Sequence, residues 1–376
     1  MSEVIRVAVL GGGAGGLTTA ADLTFRGHCV NLFELPAFQE KFAPVMERGG
    51  VEVLGKKKRD NTSIGIRQIG FAKLNRITTS IEKAMEDVEL VMIVVPAFAQ
   101  RAFIDICSPY LRDDQVLLLS PGRTGGALMA ERALMENNVT AKVMMAETST
   151  LFYATRIVGP AQLMVYADKV CLYTAVLPAN MTARTLKVIN RAYPEFVGVS
   201  SILETGLYNI GAVFHPAPAI FNTGWIEATG GSFKFYAEAM TPSVIRVMEA
   251  VEKERLDLCE SFGLKRKGIV EILNEYYGDL YPGWSLYEVA HKSEVYASIM
   301  GPPSMTARFI SEEIPNTLVP MSLLGKVSGV PTPTMDMLIE ISSIMNGCEY
   351  RRDGRTLEKL GLSGMDVGAI KKRVGL

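Results

Sequence analysis

A parallel-sheet α/β domain followed by a mainly α-helical domain is what this sequence of 376 residues predicts. Three features carry the prediction. Short β-branched runs alternate with helical stretches through the first half. Several of these runs are almost unbroken apolar segments, as strands covered on both faces require. Beyond about Ser200 long helical patterns take over. Residues 1–200 are therefore assigned to the α/β domain and 201–376 to the helical one.

The first strand, Ile5–Leu10, runs straight into Gly11-Gly12-Gly13-Ala14-Gly15-Gly16, and a helix follows through Phe25. Gly11, Gly13 and Gly16 fit G-x-G-x-x-G between a strand and a helix, the context that gives this pattern meaning. It marks a Rossmann-type dinucleotide site. Gly11 serves the tight turn, Gly13 lets backbone approach a pyrophosphate, and Gly16 packs helix on strand. Ala14 opens the helix whose N-terminal N–H groups and positive dipole end favour phosphate. The second strand, Val30–Glu34, ends eighteen residues past Gly16. There Glu34 can accept from both ribose hydroxyls and repel a 2′-phosphate, which predicts NAD(H) over NADP(H).

Further strands are expected at Leu90–Val95, Val116–Leu119 and Val143–Glu147, with helices at Phe38–Arg48, Ala99–Leu111 and Gly126–Asn137. Pro96 and Ser120-Pro121-Gly122 follow strand carboxyl ends beside the switch point, where open α/β sheets bind ligands. Pro96 is thus placed at the cofactor. In the second half, Thr241-Pro242 reads as an N-cap with N1 proline, and Gly263 supplies the left-handed residue past the helix end. Thr332-Pro333 and Asn346-Gly347 bracket another helix in the same way. A cleft between the two domains is the expected substrate site.

Composition narrows the function. With 39 basic and 40 acidic residues, nothing favours nucleic acid or another polyanion. The run Lys56-Lys57-Lys58-Arg59 reads as a solvated loop. Five scattered cysteines without C-x-x-C suggest reduced, mostly buried thiols in a cytoplasmic protein, and no cluster has metal-ligand spacing. No signal peptide fits before the first strand, and the longest apolar run, Leu90–Ala99, is too short to span a bilayer.

A nicotinamide enzyme needs a proton donor or acceptor beside the carbon that exchanges hydride. The chain has three histidines. His28, in the turn before the second strand, reads as a surface residue. His291 sits beside Lys292 with little to mark it. His215 lies in an otherwise apolar helix, Tyr208–Pro216, where a core histidine and a catalytic one are equally good readings. Tyr153 and Arg156 follow a strand's carboxyl end and suit either a cleft lining or an interdomain contact.

Several segments together resemble the opine dehydrogenases of the octopine/nopaline type, most closely the bacterial N-(carboxyethyl)-norvaline dehydrogenase branch. They are Ile93–Ala97, Ser120–Gly122 with Thr124–Leu128, Glu147–Ser149, Ala212–Pro216, Thr241–Val244 and Arg355–Gly364. The resemblance implies NAD(P)H-dependent condensation of an α-keto acid with an amino acid, through an imine, to a secondary amine dicarboxylate. It also implies a homodimer. His215 matches the family's acid/base histidine, Glu313 its acidic partner and Arg308 the arginine that holds a substrate carboxylate. A carboxylate at one ring nitrogen is expected to fix the tautomer and favour the protonated ring.

Two departures stand out. The family acid is usually Asp, whereas here it is Glu313, with Glu312 beside it. The family also places an asparagine four residues before the histidine, where this chain has Gly211. That glycine predicts added space and an altered substrate. Asn209, six residues before His215, would lie ~120° away around one continuous helix and is not expected to substitute. Two other readings stay open: a similar dehydrogenase of hydroxy acids or polyol phosphates, and a non-catalytic NAD-binding regulator.

Overall fold

Eight strands in the order 5-2-1-6-7-8-11-12 make the main sheet of the computed structural model, which describes residues 3–57 and 64–376. In chain order the strands are β1 (Arg6–Leu10), β2 (Cys29–Phe33), β3 (Gly50–Gly55), β4 (Gly70–Lys73), β5 (Arg76–Thr78) and β6 (Leu90–Ile93). Then come β7 (Val116–Leu119), β8 (Met144–Thr148), β9 (Tyr153–Gly159), β10 (Gln162–Asp168), β11 (Leu172–Leu177) and β12 (Phe196–Gly198). From β5 to β8 all pairings are parallel, and the order reverses between β1 and β6. That is the doubly wound arrangement with its switch point there. β11 pairs antiparallel with β8 and parallel with β12. The central strands are buried along their length because both faces are covered, which explains their unbroken apolar sequences.

A second sheet, in the order β4-β3-β10-β9, is a feature the sequence pattern did not reveal. It packs on the helix Ala14–Phe25, opposite the main sheet. That helix is buried from Gly16 to Leu23. Being small and apolar nearly all round, it has no solvent stripe to offer. Its polar side chains are met from the second sheet: Thr18 Oγ1 lies 2.8 Å from Thr155 Oγ1, and Asp22 accepts from the Tyr153 hydroxyl at 2.7 Å. Tyr153 is therefore a core residue of this unit and lines no cleft. Arg156 sits on β9, its guanidinium donating to the neighbouring Thr155 carbonyl. His28 is likewise buried, its Nδ1 accepting from the Ile5 N–H at 3.4 Å, contrary to the surface position expected.

The chain forms two compact units. The first holds the residues up to Gly122 together with Gly126–Ser201; the second holds Arg123–Gly125 together with Ile202–Leu376. Three residues of the loop after β7 thus belong with the helical unit. Its central helix, Pro242–Ser261, packs on Gly211–Phe214, Pro216–Phe221, Val319–Ser328 and Pro333–Asn346. Glu254 accepts from the N–H groups of Thr334 and Met335 at 2.6 and 2.9 Å, capping the last of these at its N-terminus.

Of the basic run, Lys56 and Lys57 are exposed, while Lys58 and Arg59 lie outside the described residues. All five cysteines are free thiols, but only Cys107 and Cys259 are fully buried. Among the described residues no helix is long and apolar enough to cross a membrane. No group of three or more His, Cys, Asp or Glu side chains among them is gathered as metal ligands.

Candidate active site

In the first unit, β1 and β6 run side by side, with Leu10 opposite Ile93, so their carboxyl ends stand level. Gly11 turns there at φ 121°, and a Cβ on it would strike Val95 Cγ1 at 2.5 Å. At Gly16 a Cβ would lie 1.8 Å from the Gly11 carbonyl oxygen, so helix and turn touch backbone to backbone. Gly13 differs: nothing lies within 4 Å of where its Cβ would be. It also precedes Ala14 without a side chain to cap the helix, leaving first-turn N–H groups available to an anion. Glu34 bends back over this turn, accepting from Gly12 N–H at 2.8 Å and Leu35 N–H at 2.7 Å. Pro96 follows β6 at the same end, half-buried.

The second cluster lies wholly in the helical unit. The helix expected through His215 is interrupted: Gly211–Phe214 and Pro216–Phe221 are separate, with His215 at the break. Pro216 has no N–H to continue the ladder. His215 Nδ1 lies 2.8 Å from Glu313 Oε1, and its ring stacks on Phe309 with centroids 4.4 Å apart. No described residue bonds Nε2. The side chain is 17 % exposed, against 0 % for Glu313.

Glu312 and Glu313 are consecutive yet both buried. The chain around them allows this by passing through a widened π-helical turn, Ile314–Leu318, with Pro315 inside it. Carbonyls freed there accept elsewhere, Pro315 from Arg355 N–H and Asn316 from Thr124 N–H. Between the two carboxylates sits Arg123, which the motifs had passed over. Its Nε donates to Glu312 at 3.1 Å, and its Nη1 lies 3.0 Å from Glu313 Oε1 and 3.1 Å from Asn209 Oδ1. Thr317 completes the shell, donating to Glu313 Oε2 at 3.0 Å.

Electrostatics follow from this geometry. Burial alone would raise the Glu313 pKa, but Arg123, His215 and Thr317 outweigh it and hold it at about 2. For His215 burial wins: the ring's pKa falls below its ordinary value, with Arg123 and Arg308 adding to the effect and Glu313 only partly opposing it. Glu313 does favour the protonated ring, as expected, but burial and the two arginines outweigh it. Mostly screened from water and near two guanidiniums, the imidazole is harder to protonate than a free one.

Arg308 begins the turn Arg308–Ser311, exposed and without an ion-pair partner among the described residues. A surface pair between Arg308 and Glu313 is ruled out, because Glu313 is fully buried and faces Arg123. Gly211 also departs from expectation. It opens no space, because the Glu313 carboxylate fills the position its side chain would take. Asn209 does join the cluster, buried behind Glu313, since the chain bends between Leu207 and Gly211 instead of continuing one helix.

The family model described as NAD/NADP octopine/nopaline dehydrogenase, alpha-helical domain, matches residues 198–346. The opine dehydrogenase of Arthrobacter sp. strain 1C is 34 % identical to this chain over 374 residues, 100 % of each being covered. The chain belongs to the opine dehydrogenase family. It is an NAD(P)-dependent oxidoreductase acting on CH–NH donors, condensing an α-keto acid with an amino acid reductively. Membership removes the regulator and the hydroxy-acid or polyol-phosphate dehydrogenase as readings. The fold is shared with octopine dehydrogenase solved with NADH and agmatine, at a TM-score of 0.76 and 21 % identity over 98 % of both chains. Yersinopine dehydrogenase with NADP+ bound matches at 0.70 and 16 % identity over 99 % of both.

Proposed function

We propose that His215 is the acid/base of this opine dehydrogenase, that Glu313 orients it and that Arg308 captures a substrate carboxylate. The observation that carries the reading is the 2.8 Å Nδ1–Glu313 bond inside a buried, fully paired cluster. Glu313, ionised, accepts the Nδ1 proton and so fixes the tautomer with its lone pair at Nε2. In the oxidative direction Nε2 takes a proton from the substrate amine; in the reductive direction the charged ring returns it. Phe309 covers one ring face and keeps water from it. The planar fork of Arg308 suits bidentate carboxylate capture, and a carboxylate there cancels one of the charges that depress the imidazole.

Gly11, Gly13, Ala14, Gly16 and Pro96 would hold the dinucleotide, with Glu34 at its ribose. When bound, the cofactor supplies the hydride that reduces the imine carbon. Glu34 supports NAD(H) over NADP(H), because a 2′-phosphate would meet its carboxylate. The keto acid and the amine are small molecules, the assembly a homodimer and the compartment the cytoplasm, in keeping with five free thiols.

The test is NADH oxidation by the purified protein across a matrix of α-keto acids, pyruvate included, and amino acids. Turnover with at least one pair should fall by about 10²–10⁴-fold in His215→Ala while NADH affinity stays unchanged. Retained turnover would overturn the assignment of His215.

A further inference from the structure

We propose that Gly211 is a positioning residue for the His215–Glu313 pair, its missing side chain making room for the carboxyl arm at 313, so that 211 and 313 form one interlocked couple. The inference rests on His215 being the acid/base.

A Cβ at residue 211 would lie 2.2 Å from Glu313 Oε1, 2.7 Å from its Cδ and 2.9 Å from Arg123 Nη1. Each is shorter than the 3.0 Å that real Cβ atoms respect. The backbone gives no reason for glycine. Gly211 opens the helix Gly211–Phe214 and is absent from the positive-φ positions. Alanine is the better helix former at such a site. Close approach is what excludes it.

The neighbours can yield only by giving up bonds they already make. Glu313 Oε1 is held by His215 Nδ1 at 2.8 Å and Arg123 Nη1 at 3.0 Å, and Oε2 by Thr317 at 3.0 Å. Arg123 is itself tied to Glu312 and Asn209. A side chain at 211 must therefore push the carboxylate off the imidazole, weakening the contact that fixes the tautomer. Aspartate at 313, one methylene shorter, would withdraw its oxygens from the disputed space. The glycine at 211 and the long acid at 313 thus make sense only together.

Four proteins test this: wild type, Gly211→Ala, Glu313→Asp and the double variant. Gly211→Ala should lose about 10²-fold in kcat, the cost of roughly 1 Å of misplacement, while NADH affinity stays put. Its kcat–pH profile should shift to lower pH in the limb that reports His215, because the carboxylate that raises the ring's pKa has moved away. Gly211→Ala/Glu313→Asp should recover about tenfold or more over Gly211→Ala, with the pH limb moving back. A merely structural glycine would give no rescue from a shorter acid at 313. Wild-type kcat in Gly211→Ala, or a double variant no better than Gly211→Ala in folded yield and turnover, overturns the interlock. Activity surviving in His215→Ala would instead overturn the acid/base reading on which it stands.

Discussion

The Arg123 guanidinium and the Glu313 carboxylate lie 3.0 Å apart, with side chains 6 % and 0 % exposed. The orienting acid is therefore anchored by a buried arginine from the loop after β7. Removing that cation takes from the buried Glu312 and Glu313 the guanidinium that sits between them. Arg123→Met should cost about 3–5 kcal/mol of stability, measurable by urea unfolding at neutral pH. A loss near zero would mean that water reaches the two carboxylates.

Acid should destabilise the fold through the same cluster. Glu313 is held at about 2 in the folded chain, below its ordinary 4.5. A depressed carboxyl stabilises fully above its unfolded pKa and loses that contribution as pH falls towards the folded one. The window is therefore pH 4.5 down to 2, with about 3 kcal/mol at stake. The lowered pKa of His215 acts in the same direction from 6.5 downwards. Urea unfolding of wild type and Glu313→Gln between pH 7 and 3 checks this, the variant being expected to show the flatter dependence.

The glycine turn separates binding from folding. Gly16→Ala drives a Cβ to 1.8 Å from the Gly11 carbonyl and should lower both Tm and NADH affinity. Gly13→Ala meets nothing within 4 Å, so Tm should hold while NADH affinity falls. Equal affinity in Gly13→Ala and wild type would place the pyrophosphate elsewhere.

Cofactor choice should move with Glu34. Glu34→Ser removes the repelling carboxylate, and kcat/KM with NADPH relative to NADH should rise by about tenfold or more. An unchanged ratio would assign discrimination to another residue.

Arg308→Lys keeps the charge and loses the fork. The substrate KM should rise by about tenfold, with kcat less affected. Unchanged kinetics would remove Arg308 from the carboxylate site.

Strands and helix ends were legible where local chemistry decided them. β7 coincides with the expected Val116–Leu119, and Pro242–Ser261 ends before Gly263 at φ 75°. The second sheet is not legible because neither β9 nor β3 alternates cleanly between buried and exposed residues. The His215–Glu313 contact was visible only through resemblance, being 98 residues apart in the chain. Arg123 was invisible, because a buried arginine is known by its partners and these lie far away in sequence. Helix angles alone do not predict that Asn209 lies behind Glu313, because the chain bends between Leu207 and Gly211. Gly211 was misread as a vacancy for a related reason: its occupant comes from residue 313.

Arg123–Gly125 counts with the helical unit although the chain on either side of it belongs to the other. The chain therefore enters the helical unit once before Ile202. A fragment begun at Ile202 would carry Glu312 and Glu313 into its interior with no guanidinium between them. Neither half is a portable module, and domain-exchange chimeras spliced only near residue 201 would need this tripeptide from the same parent as the helices.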